Sequence, residues 1–284
     1  MKYSITHTTT YRYSEPVVLQ AHTLRLCPRS DSWQTLDNFQ FHIIPTPLKT
    51  SDYTDLDGNR LIKVWFDFQL SDRLEIVTNS QITTHQINPF SYLAEPYAVN
   101  LPIDYPSSLA TQLQSYLRPS IAIDPVAIEL AQDLTVEAED NVAKFLMLLN
   151  QKINTHCHYA VRETGRSLPP GVTWRSRTGT CRDFSLLFME VCRAAGLAAR
   201  FVSGYQEGDV AAGEHYLHAW AEVYLPGAGW RGYDPTLGVV VSDRHIALVS
   251  SVEPSYVAPV SGGFRPVMAR SSMDYQLKLV SCDL

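Results

Sequence analysis

Cys181 stands in the segment Thr178-Gly179-Thr180-Cys181-Arg182-Asp183-Phe184, where a polar loop runs into an amphipathic stretch. Phe184, Leu187, Phe188, Val191, Cys192 and Ala195 recur at helical spacing and stop at Gly196, so the thiol falls in the first turn of a predicted helix. It lies off the Phe184, Leu187, Val191 stripe, at the helix end whose dipole favours negative charge. A nucleophilic thiolate is stabilised in such a place. Cys192, deep on the apolar face, reads as core. The segment alone also fits a helix-terminal residue with no chemical role.

A nucleophilic thiol needs a base, and the base needs a group to orient it. Nine histidines compete for the role. His218 opens His218-Ala219-Trp220-Ala221-Glu222-Val223-Tyr224, which alternates as a strand, and Pro226-Gly227-Ala228-Gly229 supplies a turn before Trp230-Arg231-Gly232-Tyr233-Asp234-Pro235. A loop over Leu225 to Gly227, with Gly227 left-handed, would set His218 directly opposite Asp234 on one face. Asp234 would then accept the imidazole N–H and leave the other ring nitrogen for the thiol. A one-residue change in the loop would send the two side chains to opposite faces. The plain alternative is a surface histidine near a strand-ending Asp-Pro turn.

These residues need a helix and a hairpin to hold them, and the chain carries both kinds of pattern. Up to about residue 85, short alternating runs (Tyr3 to His7, Thr23 to Leu26, Phe39 to Ile44, Leu61 to Phe68, Leu74 to Ile82) predict strands, with a hairpin turn at Asp57-Gly58-Asn59. An antiparallel β-sandwich or barrel is expected over residues 1–90. Prolines between Asn88 and Pro106 mark a connector. Helices are predicted at Ser108 to Leu117, at Pro125 to Leu134 behind an Asp124 cap, and at Asn141 to Ile153. Strand patterns return at Ala199 to Val202, His218 to Tyr224, Trp230 to Tyr233, His245 to Val249 and Gln276 to Val280. The division is therefore an all-β unit (1–90), a helical connector packed on the core (91–140) and an α+β core (141–284).

A formal net charge of −6 without a basic stripe argues against a nucleic-acid partner. The chain offers no apolar run long enough to cross a bilayer and no signal-peptide h-region at its start, so no membrane partner and a cytoplasmic location are expected. Five scattered cysteines (Cys27, Cys157, Cys181, Cys192 and Cys282) do not make a disulfide framework.

Taken in order, G-T-C-R-D-F, H-A-W-A-E-V-Y and G-W-R-G-Y-D-P-T resemble the core of the transglutaminase-like superfamily, over about His158 to Gly263. The segments Ile5 to Tyr13 and Leu24 to Pro28 resemble the β domain that precedes this core in bacterial members. The resemblance implies a papain-like α+β core, with a helix packed on an antiparallel sheet, and Cys181, His218 and Asp234 as a catalytic triad. It also implies cysteine-dependent acyl transfer on peptide or amide bonds through a thioester. Hydrolysis of a protein or peptide substrate is the favoured outcome; transamidation, or a non-catalytic protein-binding module on the same fold, are the alternatives.

No cofactor and no metal are expected. His156-Cys157-His158 would alternate faces on a strand, no second zinc-type cluster follows, and no dense Asp/Glu cluster suits calcium. His215, three residues before His218, reads as strand entry. Trp174, Arg175 and Arg177 could line a cleft or simply pack. Asp183 reads as a helix N-terminal charge partner, the Cys181 backbone N–H as an oxyanion donor, and His245 and Tyr256 as structural.

Overall fold

The computed structural model describes residues 1–85, 88–118, 124–162, 165–208, 215–266 and 268–282, without the side chains of residues 215, 216 and 282. Six strands come first: β1 (Lys2–Leu19), β2 (His22–Leu24), β3 (Gln34–Ile44), β4 (Lys49–Thr54), β5 (Arg60–Trp65) and β6 (Leu70–Thr84). In β1 the residues Tyr3, Ile5, His7 and Thr9 are buried and their neighbours face outward, the period-two pattern that gives a strand one core face. Gly58, at φ +80°, turns the β4–β5 hairpin, where Asp55 accepts the backbone N–H groups of Asp57 and Asn59. β4 is solvent-exposed throughout, so no apolar period announces it in the sequence.

Helices follow at α1 (Ser107–Leu117), α2 (Pro125–Glu137) and α3 (Val142–His156). Asp124 caps α2 by accepting from Val126 N at 3.0 Å, and Asn141 caps α3 by accepting from Lys144 N at 2.9 Å. Next come β7 (His158–Tyr159), α4 (Pro170–Ser176), β8 (Thr178–Gly179) and α5 (Cys181–Ala194). His156, Cys157 and His158 do not share a strand: His156 ends α3 and stacks on Trp174, and Cys157 terminates the helix. Among the described residues, no helix is long and apolar enough to cross a membrane.

The remaining strands are β9 (Ala199–Glu207), β10 (His215–Leu225), β11 (Gly229–Asp234), β12 (Val239–Val240), β13 (His245–Ser251), β14 (Val260–Ser261), β15 (Phe264–Arg265) and β16 (Ser271–Cys282). β9 to β13 form an antiparallel sheet in the order β12-β11-β10-β9-β13. α5 packs on it, with Phe184, Leu187 and Phe188 in one core with Phe201, Ala221 and Val223. The chain is thus α+β, an antiparallel β unit followed by helices on an antiparallel sheet.

The last strands depart from the sequence expectation. Gln276 to Val280 do not join the core sheet; they lie in β16, which pairs with β1 from Lys2↔Cys282 to Tyr13↔Ser271. An alternating pattern shows that a segment is a strand but not which open edge it will cover. A second apolar cluster joins Tyr3, Ile5, Ile76 and Ile82 to Tyr205, Ile246 and Leu248, so the two units share part of their interior.

Candidate active site

Cys181 occupies the first position of α5, and the sequence fixes that helix end firmly. The Asp183 carboxylate reaches back to Thr180 N at 2.7 Å, satisfying a backbone donor that the helix leaves open. It also accepts from Leu168 N at 2.7 Å and holds the Arg162 guanidinium at 2.8 and 3.0 Å. Burial opposes its charge, but these partners hold its carboxyl below the usual range. Asp183 is thus the charge partner the sequence predicted, and it ties the 165–168 loop to the start of α5. Gly196, at φ +78°, ends the helix, with Leu197 N bonding Cys192 O.

The hairpin that carries the other two residues differs in register from expectation. Its loop is Pro226-Gly227-Ala228, closed by Leu225↔Gly229, and Ala221 faces Tyr233. Continuing that register puts Asp234 opposite Trp220, two residues from His218. The shift of two preserves the face, so the residues remain diagonal neighbours. His218 Nε2 donates to Asp234 Oδ2 at 2.7 Å, with Asp234 fully buried. Cys181 acts on the same imidazole and, like Asp234, favours its charged form.

Burial works against a charge on His218, but Asp234 and then Cys181 outweigh it and raise its pKa to about 10. Burial likewise works against the Asp234 charge, yet His218 and His245 hold its carboxyl far below the ordinary range. Asp234 Oδ1 accepts from Thr236 N at 2.9 Å and Leu237 N at 3.3 Å, so the turn after β11 fixes the carboxylate. At neutral pH the arrangement is an imidazolium clamped by a carboxylate, with Cys181 beside it at a helix N-terminus.

All three predicted site residues come together. The side chain of His215 lies outside the described residues. Trp174 stacks on His156 at 3.8 Å, a packing role. One residue read as structural belongs to the site: His245 Nε2 lies 3.1 Å from Asp234 Oδ2. Its position opening an apolar run, eleven residues beyond Asp234, gave no local hint of the contact.

A helix-borne thiol facing a His-Asp hairpin defines a class of cysteine-centred site, and comparison with known proteins gives it a family. Residues 3–83 match the bacterial transglutaminase-like N-terminal region, and residues 128–235 match the transglutaminase-like superfamily. The chain therefore belongs to the transglutaminase-like superfamily and carries its bacterial N-terminal region. It is 29% identical over 294 residues to an uncharacterized protein of Mycobacterium tuberculosis, covering 98% of this chain and 92% of the relative. A stretch of 71 residues is 39% identical to a protein-glutamine gamma-glutamyltransferase of Pseudomonas aeruginosa, covering 22% of this chain and 11% of that protein. In fold, the chain is similar to a solved "putative cysteine protease" of Cytophaga hutchinsonii, with a TM-score of 0.75 at 18% identity, covering 100% of this chain and 92% of that one.

Proposed function

We propose that this protein is a cysteine-dependent hydrolase of peptide or amide bonds, working through a thioester. The observation that carries this reading is the buried 2.7 Å contact between His218 and Asp234, on an imidazole whose charge Cys181, in the first turn of α5, also favours. Cys181 Sγ attacks the carbonyl carbon, and the oxygen's developing charge is met by backbone N–H groups at the N-terminus of α5. The carbon–nitrogen bond then breaks as His218 passes its proton to the leaving amine. Neutral His218 takes a proton from water, the resulting hydroxide attacks the thioester carbon, and the carboxylic acid leaves as the thiolate–imidazolium pair returns. Asp234 holds the imidazole throughout.

Transamidation differs only in having an amine replace water in the second half. The local likeness to a glutamyltransferase keeps that outcome in view. Digestion of a peptide library in the presence of monodansylcadaverine tests both. We expect Cys181-dependent products carrying new carboxylates, with the amine absent from them. Amine adducts would replace hydrolysis by transamidation. Equal product formation by Cys181→Ala would overturn cysteine catalysis altogether.

A further inference from the structure

We infer that His245 is a second positioning histidine of the triad, donating to the same Asp234 oxygen that holds His218; the inference rests on the triad reading proposed above. His218 Nε2 reaches Asp234 Oδ2 at 2.7 Å and His245 Nε2 reaches it at 3.1 Å. An ionised carboxylate only accepts, so His245 Nε2 must carry a hydrogen. Because Oδ1 is already committed to Thr236 N and Leu237 N, the carboxylate cannot turn away, and Oδ2 is divided between two imidazoles.

The surroundings of His245 favour this role over simple packing. Its side chain is 3% exposed, and among the described residues Nδ1 has no protein hydrogen-bond partner, which leaves Asp234 as the ring's hydrogen-bonded anchor. A buried polar ring is costly unless bonded, and an apolar residue would fill the space against the Trp220 ring, 5.3 Å away, without that cost. Arg29, Glu222 and Asp243 line the small cavity beside His245, but Glu222 is already paired with Arg29 and Arg200.

The strand bearing His245 is held from the other half of the molecule. Gln34 of β3 bonds both backbone groups of Ala247, at 2.8 and 2.9 Å, and Arg29 N bonds the same carbonyl at 3.0 Å. The N-terminal β unit thereby fixes β13 and, through His245, bears on the site. By taking a share of the charge on Oδ2, His245 loosens the grip of Asp234 on the His218 imidazolium. His218 can then release its proton to the leaving amine.

The test is an NMR titration of the His218 ring in the wild type and in His245→Phe, His245→Ala and His245→Gln, with His218→Gln identifying the resonance. Loss of the donor in the Phe and Ala variants should move the His218 midpoint upward by about one unit. His245→Gln, which retains a neutral N–H donor, should stay near wild type. An unchanged or lowered midpoint in a folded Phe or Ala variant would overturn the inference. Of these two, Ala opens the space to solvent and Phe fills it, so either one gives the comparison if the other misfolds. The titration reads His218 whether or not Cys181 turns over substrate. Failure of the hydrolase reading would instead appear in the library digest.

Discussion

At the residue scale, the charges of the site set how the fold responds to pH. The ordinary His218 pKa of 6.5 rises to about 10 in the folded chain, so protons bind the folded state more tightly. Its contribution to stability is fully present below about pH 6.5 and is lost as pH rises through about 10. Glu222 behaves oppositely: burial opposes its charge, but Arg29 and Arg200 hold its pKa at about 2 against an ordinary 4.5. Its contribution is present above pH 4.5 and is lost as pH falls towards 2. Urea midpoints followed from pH 3 to 10 should therefore fall at both ends in the wild type. His218→Gln should flatten the alkaline fall, and Glu222→Gln the acid one. An unaltered alkaline slope in His218→Gln would contradict the buried ion pair. Cys181, His218 and Asp234 were legible because each sits in a local pattern, a helix start or a hairpin. His245 was not, because its contact with Asp234 is made across the sheet and leaves no mark on the residues beside it.

At the scale of elements, the site depends on how β9, β10 and β13 pass one another. Gly204 lies directly opposite His218 in the β9–β10 ladder. A Cβ there would come within 2.3 Å of Ile246 O, and near the Trp220 ring as well. Backbone on one side and a buried indole on the other leave no room to yield. Gly204→Ala should lower stability by about 2 to 3 kcal/mol. It should also displace β13 and Trp220 beside His218. Chemical denaturation followed by tryptophan fluorescence would measure the first effect and report the second; an unchanged midpoint would count against the packing described. The sequence showed that a hairpin carries His218 and Asp234 but misplaced its loop by one residue. That moved the register by two. Both Gly227 and Gly229 have positive φ, at 86° and 75°, and turn residues alone could not decide which three residues form the loop. The face survived the error because side chains alternate with period two.

At the scale of the whole molecule, the two units are bound together too closely to act as beads on a string. Side-chain amides from the N-terminal β unit serve as strand partners for the open edge of β13: Gln34 pairs with Ala247, and Asn59 bonds Ser250 N and O at 2.9 and 2.7 Å. The Arg29–Glu222–Arg200 group adds a buried ionic tie. β16 closes the system by returning to β1 and burying Leu279. Removal of residues 271–284 should expose the edge of β1 over its whole pairing length. The truncated chain should aggregate or melt well below the full-length protein, as thermal denaturation and gel filtration would reveal. A monomeric product with an unchanged melting temperature would refute that role for β16. The overall class was readable from the order of strand and helix patterns. The return of the last strand was not, since nothing in Gln276 to Val280 records that its partner is the first strand of the chain.

Reactivity of the thiol itself tests the central claim most directly. Cys27, Cys157 and Cys192 are buried like Cys181, and burial pushes each of those three thiols upward, to about 11 for Cys27 and Cys157. Limited alkylation with iodoacetamide at pH 7, mapped by peptide mass spectrometry, should place the fast label on Cys181. Its rate should fall by about a hundredfold in His218→Gln, which removes the imidazolium partner. Preferential labelling of Cys157 or Cys192, or a Cys181 rate unchanged in His218→Gln, would contradict the triad.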